Sequence, residues 1–308
     1  MLRFPFLFVL VSAVLVGNPE PEVIPIWPQG APHALSGHDK AEYTFVNDRG
    51  ITVIRDVVKP EIWVYHQDPD TMNGSSVLIF PGGGYWVLAI DHEGYQIADW
   101  LSVQGITPII VKYRHPWGET MQDSHLGPLS DAQEAVRIVR RNAEAWNLDP
   151  EKIGVMGFSA GGHLAASVSN LYDYDPYALS DGISARPDFS VLVYPVISFT
   201  QPYGHLGSEK KLLGSEDAPL ELQQQFSMEL QVKATTPPTF LIHTRDDKVV
   251  PPENSISYFQ HMLSAGVPGE LHVFETGGHG FGLGNWEDCS YRWPTLCESW
   301  LRRFSSPN

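Results

Sequence analysis

The stretch Lys152-Ile153-Gly154-Val155-Met156-Gly157-Phe158-Ser159-Ala160-Gly161-Gly162-His163 decides the reading of this chain. A short apolar run, Ile153 to Phe158, leads into Gly157-Phe158-Ser159-Ala160-Gly161, and the small, helix-compatible segment Ala160 to Asn170 follows. Strand, Gly-x-Ser-x-Gly and helix in that order describe a sharp turn that presents a serine hydroxyl at its tip. The flanking glycines have a steric reason, because a Cβ at Gly157 or Gly161 is expected to collide with backbone across so tight a corner. The pentapeptide alone is a weak signal. Its strand-and-helix context is what raises it above a glycine-rich turn carrying an inert serine.

Working outward, short and mostly continuous apolar runs recur at Val77 to Phe80, Thr107 to Tyr113, Phe189 to Tyr194, Thr239 to Thr244 and Glu270 to Phe274. Such runs suit strands covered on both faces, whereas Glu61 to Gln67 alternates as an outer strand does. Amphipathic stretches lie between them: Glu93 to Gln104, Pro128 to Trp146, Ala160 to Leu171, Pro252 to Ala265 and Tyr291 to Phe304. The second has helical spacing at Ala132, Ala135, Val136, Val139, Ala143 and Trp146, with Arg137, Arg140 and Arg141 on the opposite face. This alternation predicts an α/β fold, a mainly parallel central sheet with helices on both faces. Residues 196–236 break the rhythm and read as a small helical cap insertion over the site.

Composition narrows the function classes. Lys and Arg total 20 against 36 Asp and Glu, a formal net charge of −16, and no basic cluster suited to tracking phosphates is present. Nucleic acid and anionic membrane are therefore not expected as partners. Twelve histidines are scattered without HExxH, CxxC or another ligand spacing, so no metal and no cofactor is expected. Residues 1–18 pair one positive charge with an apolar run too short for a membrane span, followed by Pro-broken polar sequence. That pattern predicts a signal peptide and export, with residues 19–308 as one domain. Cys289 and Cys297 either bridge a loop to the last helix or remain free thiols.

A serine needs a base within hydrogen-bond reach, a group to orient the base, and donors for a developing oxyanion. Each has a candidate in a loop after a strand, where an open α/β sheet builds its site. His279, in Glu275-Thr276-Gly277-Gly278-His279-Gly280-Phe281, is the candidate base; His163, His243, His92 and His205 compete as packed or solvated histidines. Asp247 is the candidate acid, with its neighbour Asp246 as the alternate. For the oxyanion, Pro81-Gly82-Gly83-Gly84-Tyr85-Trp86 offers the amides of Gly83 and Gly84, with that of Ala160 completing the set. The loop lacks the endings of a phosphate-cradling motif. Tyr85, Trp86 and the stretch Tyr203 to His205 are expected to wall a small acyl pocket and face a sugar ring, ordinary packing being the competing reading.

The segments 81–86, 157–163, 243–251 and 277–281 together resemble the α/β-hydrolase superfamily, in particular the esterase/lipase group containing acetyl-xylan and feruloyl esterase-like and hormone-sensitive-lipase-like enzymes. The order Ser159, Asp247, His279 is that of this fold. Where the lipase-like members carry His-Gly-Gly-Gly, Pro81 replaces the histidine, which shifts the resemblance toward the carbohydrate-esterase-like members. It implies a serine esterase acting on a small-molecule or polysaccharide ester, with short-chain acyl groups such as acetyl on xylan. Paired carboxylates for glycoside hydrolysis are not found at a recognisable spacing. A prolyl-oligopeptidase-type peptidase and a non-catalytic binding protein on the same fold are the alternatives; the former usually adds a propeller, for which no repeat is seen.

Overall fold

Every residue of Ser76–Phe80, Thr107–Lys112, Ile153–Phe158, Phe189–Val193 and Thr239–Thr244 is buried, as continuous apolar runs demand of central strands. The structure, a computed structural model, describes residues 20–305 apart from 177, 180 and 216, so the expected leader at 1–18 lies outside the described residues. The described chain begins with β1 (Glu22–Pro25), β2 (Tyr43–Val46), β3 (Thr52–Arg55) and β4 (Glu61–Val64), then β5 (Ser76–Phe80) and the two-residue β6 (Val87–Leu88). A π-helical turn, Asp91–Tyr95, enters α1 (Gln96–Ser102), followed by β7 (Thr107–Lys112), α2 (Leu126–Asn142), β8 (Ile153–Phe158), α3 (Ser159–Asn170) and β9 (Phe189–Val193). After β9 come α4 (Leu206–Leu213), α5 (Leu220–Gln225) and a 3-10 turn, Met228–Gln231. The chain continues through β10 (Thr239–Thr244), α6 (Glu253–Ala265), β11 (Gly269–Phe274) and α7 (Trp293–Ser305).

Eight strands form one sheet in the order β1-β4-β7-β5-β8-β9-β10-β11. From β7 to β11 all neighbours are parallel, while β4 and β1 are antiparallel additions at one side. The fold class expected from the alternation holds. The chain departs from β5 toward β7 on one side and returns to β8 on the other, so the carboxyl ends of β5 and β8 flank the switch point where such sheets place their sites.

The N-terminal strands depart from expectation. Glu61–Val64 is not an edge, because Val23↔Trp63 and Ile24↔Ile62 pair β1 outside it. β2, β3 and β6 form a separate antiparallel sheet. The arginines of α2 are not simply turned to solvent: Arg137 is buried and bonds the Ile183 carbonyl, and Arg140 bonds the Arg186 carbonyl and Asp188. They brace the loop ahead of β9. Both cysteines are free thiols, Cys297 buried and Cys289 half-buried.

Candidate active site

The turn from β8 into α3 is shaped by contact and by strain. A Cβ on Gly157 would strike the Gly161 carbonyl, and one on Gly161 would strike the Phe80 and Pro81 carbonyls, so both glycines are required by close approach. Neither has a positive φ; the left-handed residue is Ser159 itself, at φ 52°. A non-glycine residue held there costs about 1–2 kcal/mol. The Ser159 carbonyl accepts the Val196 amide at 3.0 Å, which ties the turn to the segment after β9.

Ser159 Oγ lies 2.9 Å from His279 Nε2, and His279 Nδ1 lies 2.6 Å from Asp247 Oδ2. A carboxylate can only accept, so Nδ1 carries the proton and Nε2 is free to accept from the serine hydroxyl. His279 comes from the loop after β11 and Asp247 from the loop after β10, two adjacent parallel strands. Asp247 Oδ1 accepts the Val249 and Val250 amides at 2.9 Å each. His243 Nε2 stands 3.3 Å from Oδ2, its ring fixed by Ser255 and the Val250 carbonyl. Burial opposes the charge of Asp247, but the bonds from His243 and His279 outweigh it and hold the carboxyl well below the ordinary range. Asp246 does a different job. Its Oδ1 accepts the Gly278 amide at 2.9 Å, and this backbone bond lowers its own pKa.

The loop after β5 borders the serine. Gly82 N–H is taken by Glu93 Oε2 at 2.8 Å, and the Trp86 and Val87 amides both return to the Gly83 carbonyl. Gly83 and Gly84 then line a cleft of about 250 Å³ beside Ser159 and His279. The Ala160 amide sits in the first turn of α3, where an N–H has no intrahelical acceptor. Further walls come from Asn47, Arg49 and Ile51 of the turn between β2 and β3, from Val53 and Val87 of the small sheet, and from Ala89, His92, Glu93, His205, Val249 and Gly280.

Two expected wall residues are placed differently. Tyr85 is fully buried, its hydroxyl 2.8 Å from His163 Nδ1, so it fastens the loop to α3 instead of facing a substrate. Trp86 does not line the cleft. It carries Arg55 Cζ and Lys211 Nζ over its ring at 4.0 and 3.6 Å, with Trp117 edge-on. His163 is a packed histidine, bonded also to the Phe226 carbonyl and stacked on Phe199, and burial lowers its pKa to about 4. The stretch 203–205 contributes His205, whose Nδ1 accepts the Ser208 amide and caps α4; burial, then the nearby His279, lowers its pKa. Among the described residues no group of three or more His, Cys, Asp or Glu is arranged to hold a metal ion, and no helix is long and apolar enough to cross a membrane.

Residues 64–262 match the BD-FAE family model. An acetylxylan esterase of Xylanibacter ruminicola is 37% identical over 242 residues, covering 78% of this chain and 48% of that protein. Endo-1,4-beta-xylanase B of Butyrivibrio fibrisolvens is 36% identical over 231 residues, 73% of this chain and 35% of that protein. The chain thus spans half or less of the length of these curated relatives. Among solved structures, the acetyl ester-xyloside bifunctional hydrolase of Caldicellulosiruptor lactoaceticus superposes with a TM-score of 0.75 at 36% identity, covering 92% of this chain and 97% of that one. With the family model spanning well over half its length, the chain belongs to the BD-FAE family, within the α/β-hydrolase esterase group.

Proposed function

We propose that this chain is a serine esterase that removes short acyl groups, acetyl foremost, from a carbohydrate such as xylan. The observation that carries the reading is the unbroken row Ser159 Oγ, His279, Asp247 beside a cleft lined by Gly83 and Gly84. In the proposed mechanism Ser159 Oγ attacks the ester carbonyl while His279 Nε2 takes its proton, and Asp247 stabilises the resulting imidazolium. The amides of Gly83, Gly84 and Ala160 stabilise the tetrahedral oxyanion. Collapse returns the proton from His279 to the leaving sugar hydroxyl, leaving an acyl-Ser159. A water activated by His279 then attacks the acyl carbonyl, releasing the acid and restoring the serine.

Several features support a small acyl group on a polar alcohol. The cleft is only about 250 Å³, and its walls mix Val53, Val87 and Ala89 with Asn47, Arg49, His92 and His205. An acetylxylan esterase and a bifunctional acetyl ester-xyloside hydrolase are among the similar proteins. The leader-like residues 1–18 support export to meet a polymeric substrate. Hydrolysis of p-nitrophenyl esters from acetate to decanoate, beside acetate release from acetylated xylan, tests the reading. Rates falling as the acyl chain lengthens, with acetate freed from the polymer, are expected; a maximum at decanoate would contradict it.

A further inference from the structure

Beneath the proposed catalytic row lies a second polar chain that the mechanism does not use. Glu93 is buried in the middle of the π-helical turn; its Oε2 accepts Gly82 N–H at 2.8 Å and its Oε1 accepts the Tyr194 hydroxyl at 2.8 Å. That hydroxyl in turn accepts Gly282 N–H at 3.1 Å. One buried carboxylate and one buried phenol thereby connect the oxyanion loop, residues 81–86, to the loop that carries His279. Both are nine-tenths or more buried, Glu93 at 3% and Tyr194 at 0% exposure.

The backbone shows why these links matter. The carbonyl side of the oxyanion loop is fastened by its own amides: Trp86 and Val87 bond to Gly83 O, and Ala89 bonds to Gly82 O. On the amide side, Gly82 is held by Glu93, and the next two residues, Gly83 and Gly84, line the cleft. There is no slack behind Gly82. A Cβ built there would lie 2.7 Å from Glu93 Oε2 and 2.9 Å from the Ser159 Cβ. Tyr194 is itself held at φ 37°, a conformation a tyrosine adopts only when its surroundings impose it. Its ring lies 4.9 Å from that of His279 and 4.4 Å edge-on from Phe281. The phenol thus packs beside the imidazole, with its hydroxyl donating to Glu93.

We propose that Glu93 and Tyr194 are positioning residues that set the distance between the oxyanion amides and the imidazole, so that both reach the same tetrahedral centre. The proposal rests on the serine-esterase reading above. Displacing a catalytic group by about 1 Å can cost 10²-fold in rate, so severing this tie should act on the transition state more than on substrate binding.

The test uses the full chain with p-nitrophenyl acetate as substrate and a trifluoromethyl ketone as the probe of the oxyanion pocket. Tyr194→Phe, which removes one oxygen and keeps the ring, should lower kcat about 10- to 100-fold with KM changed less than about twofold. The ketone's inhibition constant should weaken by the same factor while Tm stays near that of the wild type. Glu93→Ala should lose at least as much, and Glu93→Gln, which keeps an oxygen for Gly82 N–H, should recover a large part. A folded Tyr194→Phe protein with wild-type kcat and ketone affinity would overturn the proposal, as would a loss confined to KM. The underlying reading fails separately: a wild-type protein no more active on the ester than Ser159→Ala would remove it.

Discussion

Two buried carboxylates, Asp131 and Asp247, contrast an architectural role with the reactive role assigned to Asp247 in the proposed mechanism. Asp131 is fully enclosed: its oxygens accept Trp27 Nε1 at 2.7 Å, the Arg114 backbone amide at 2.9 Å, and Arg114 Nε and Nη2 at 2.7 to 3.0 Å. Every bond ends within the protein, and Arg114 adds another to the Pro32 carbonyl. The network ties β1's following segment, the end of β7 and α2 into one unit. Asp247 is just as well satisfied on its own account, yet one of its partners is a histidine whose far nitrogen faces a serine at the cleft. A guanidinium that never titrates closes a network. An imidazole, which can gain and lose a proton, leaves it open to a substrate.

The largest effect that can break this contrast is at the proposed nucleophile. Ser159→Ala should lower kcat about 10⁶-fold toward p-nitrophenyl acetate, leaving only residual catalysis from the oxyanion amides. Asp247→Asn should lower kcat about 10⁴-fold, by favouring the wrong imidazole tautomer. Asp131→Asn should reverse the pattern. It breaks a buried pair and should destabilise the fold by about 3–5 kcal/mol in a denaturant titration, while the protein that remains folded keeps a near wild-type kcat.

The pH dependence of stability should also report on Asp247. Because the folded-state pKa of Asp247 lies below its unfolded value of about 3.9, its contribution is present in full above that pH. It is lost as pH falls further toward the folded-state value. The stability gap between wild type and Asp247→Asn should thus be flat above about pH 5 and narrow below about pH 4, followed by chemical denaturation at each pH. The smallest effect is expected at Asp246→Asn, whose amide oxygen still accepts Gly278 N–H, so that the loop carrying His279 stays tied and kcat remains within about threefold of wild type. A loss at Asp246 larger than at Asp247 would exchange their roles.

The sequence made the parts of the site that sit at strand ends readable. Ser159 stands between an apolar run and a small-residue helix, His279 follows an apolar run with glycines around it, and Pro81 to Trp86 directly follows another. Of the two neighbouring aspartates the sequence reading favours Asp247 and keeps Asp246 as the alternate, and the loop geometry decides which faces the imidazole and which the Gly278 amide. Tyr85 misled for a related reason: an aromatic beside a glycine loop reads as a pocket wall, and its burial against His163 is set by the packing of a distant helix. Glu93 and Tyr194 carried no signal of their own. One reads as a helix start and the other as the end of a strand, and their link spans 101 positions.

The small sheet was missed on physical grounds too. β2 is four residues long and exposed throughout, so it lacks the buried periodicity that marks a strand, and its Tyr43 and Phe45 rings stack on each other. Yet the turn it makes with β3 brings Asn47, Arg49 and Ile51 to the cleft, and no strand-end rule would have pointed there. Size is no better guide. A groove of about 630 Å³ between residues 24–32 and α2 is larger than the cleft and contains none of Ser159, Asp247 or His279.

The most direct test of the central claim is covalent. Treatment with a fluorophosphonate followed by peptide mass spectrometry should place a single adduct on Ser159, formed rapidly by the wild type and at a rate reduced by orders of magnitude in His279→Ala. Absence of an adduct at Ser159 in a protein that still hydrolyses p-nitrophenyl acetate, or equal labelling with and without His279, would contradict the account.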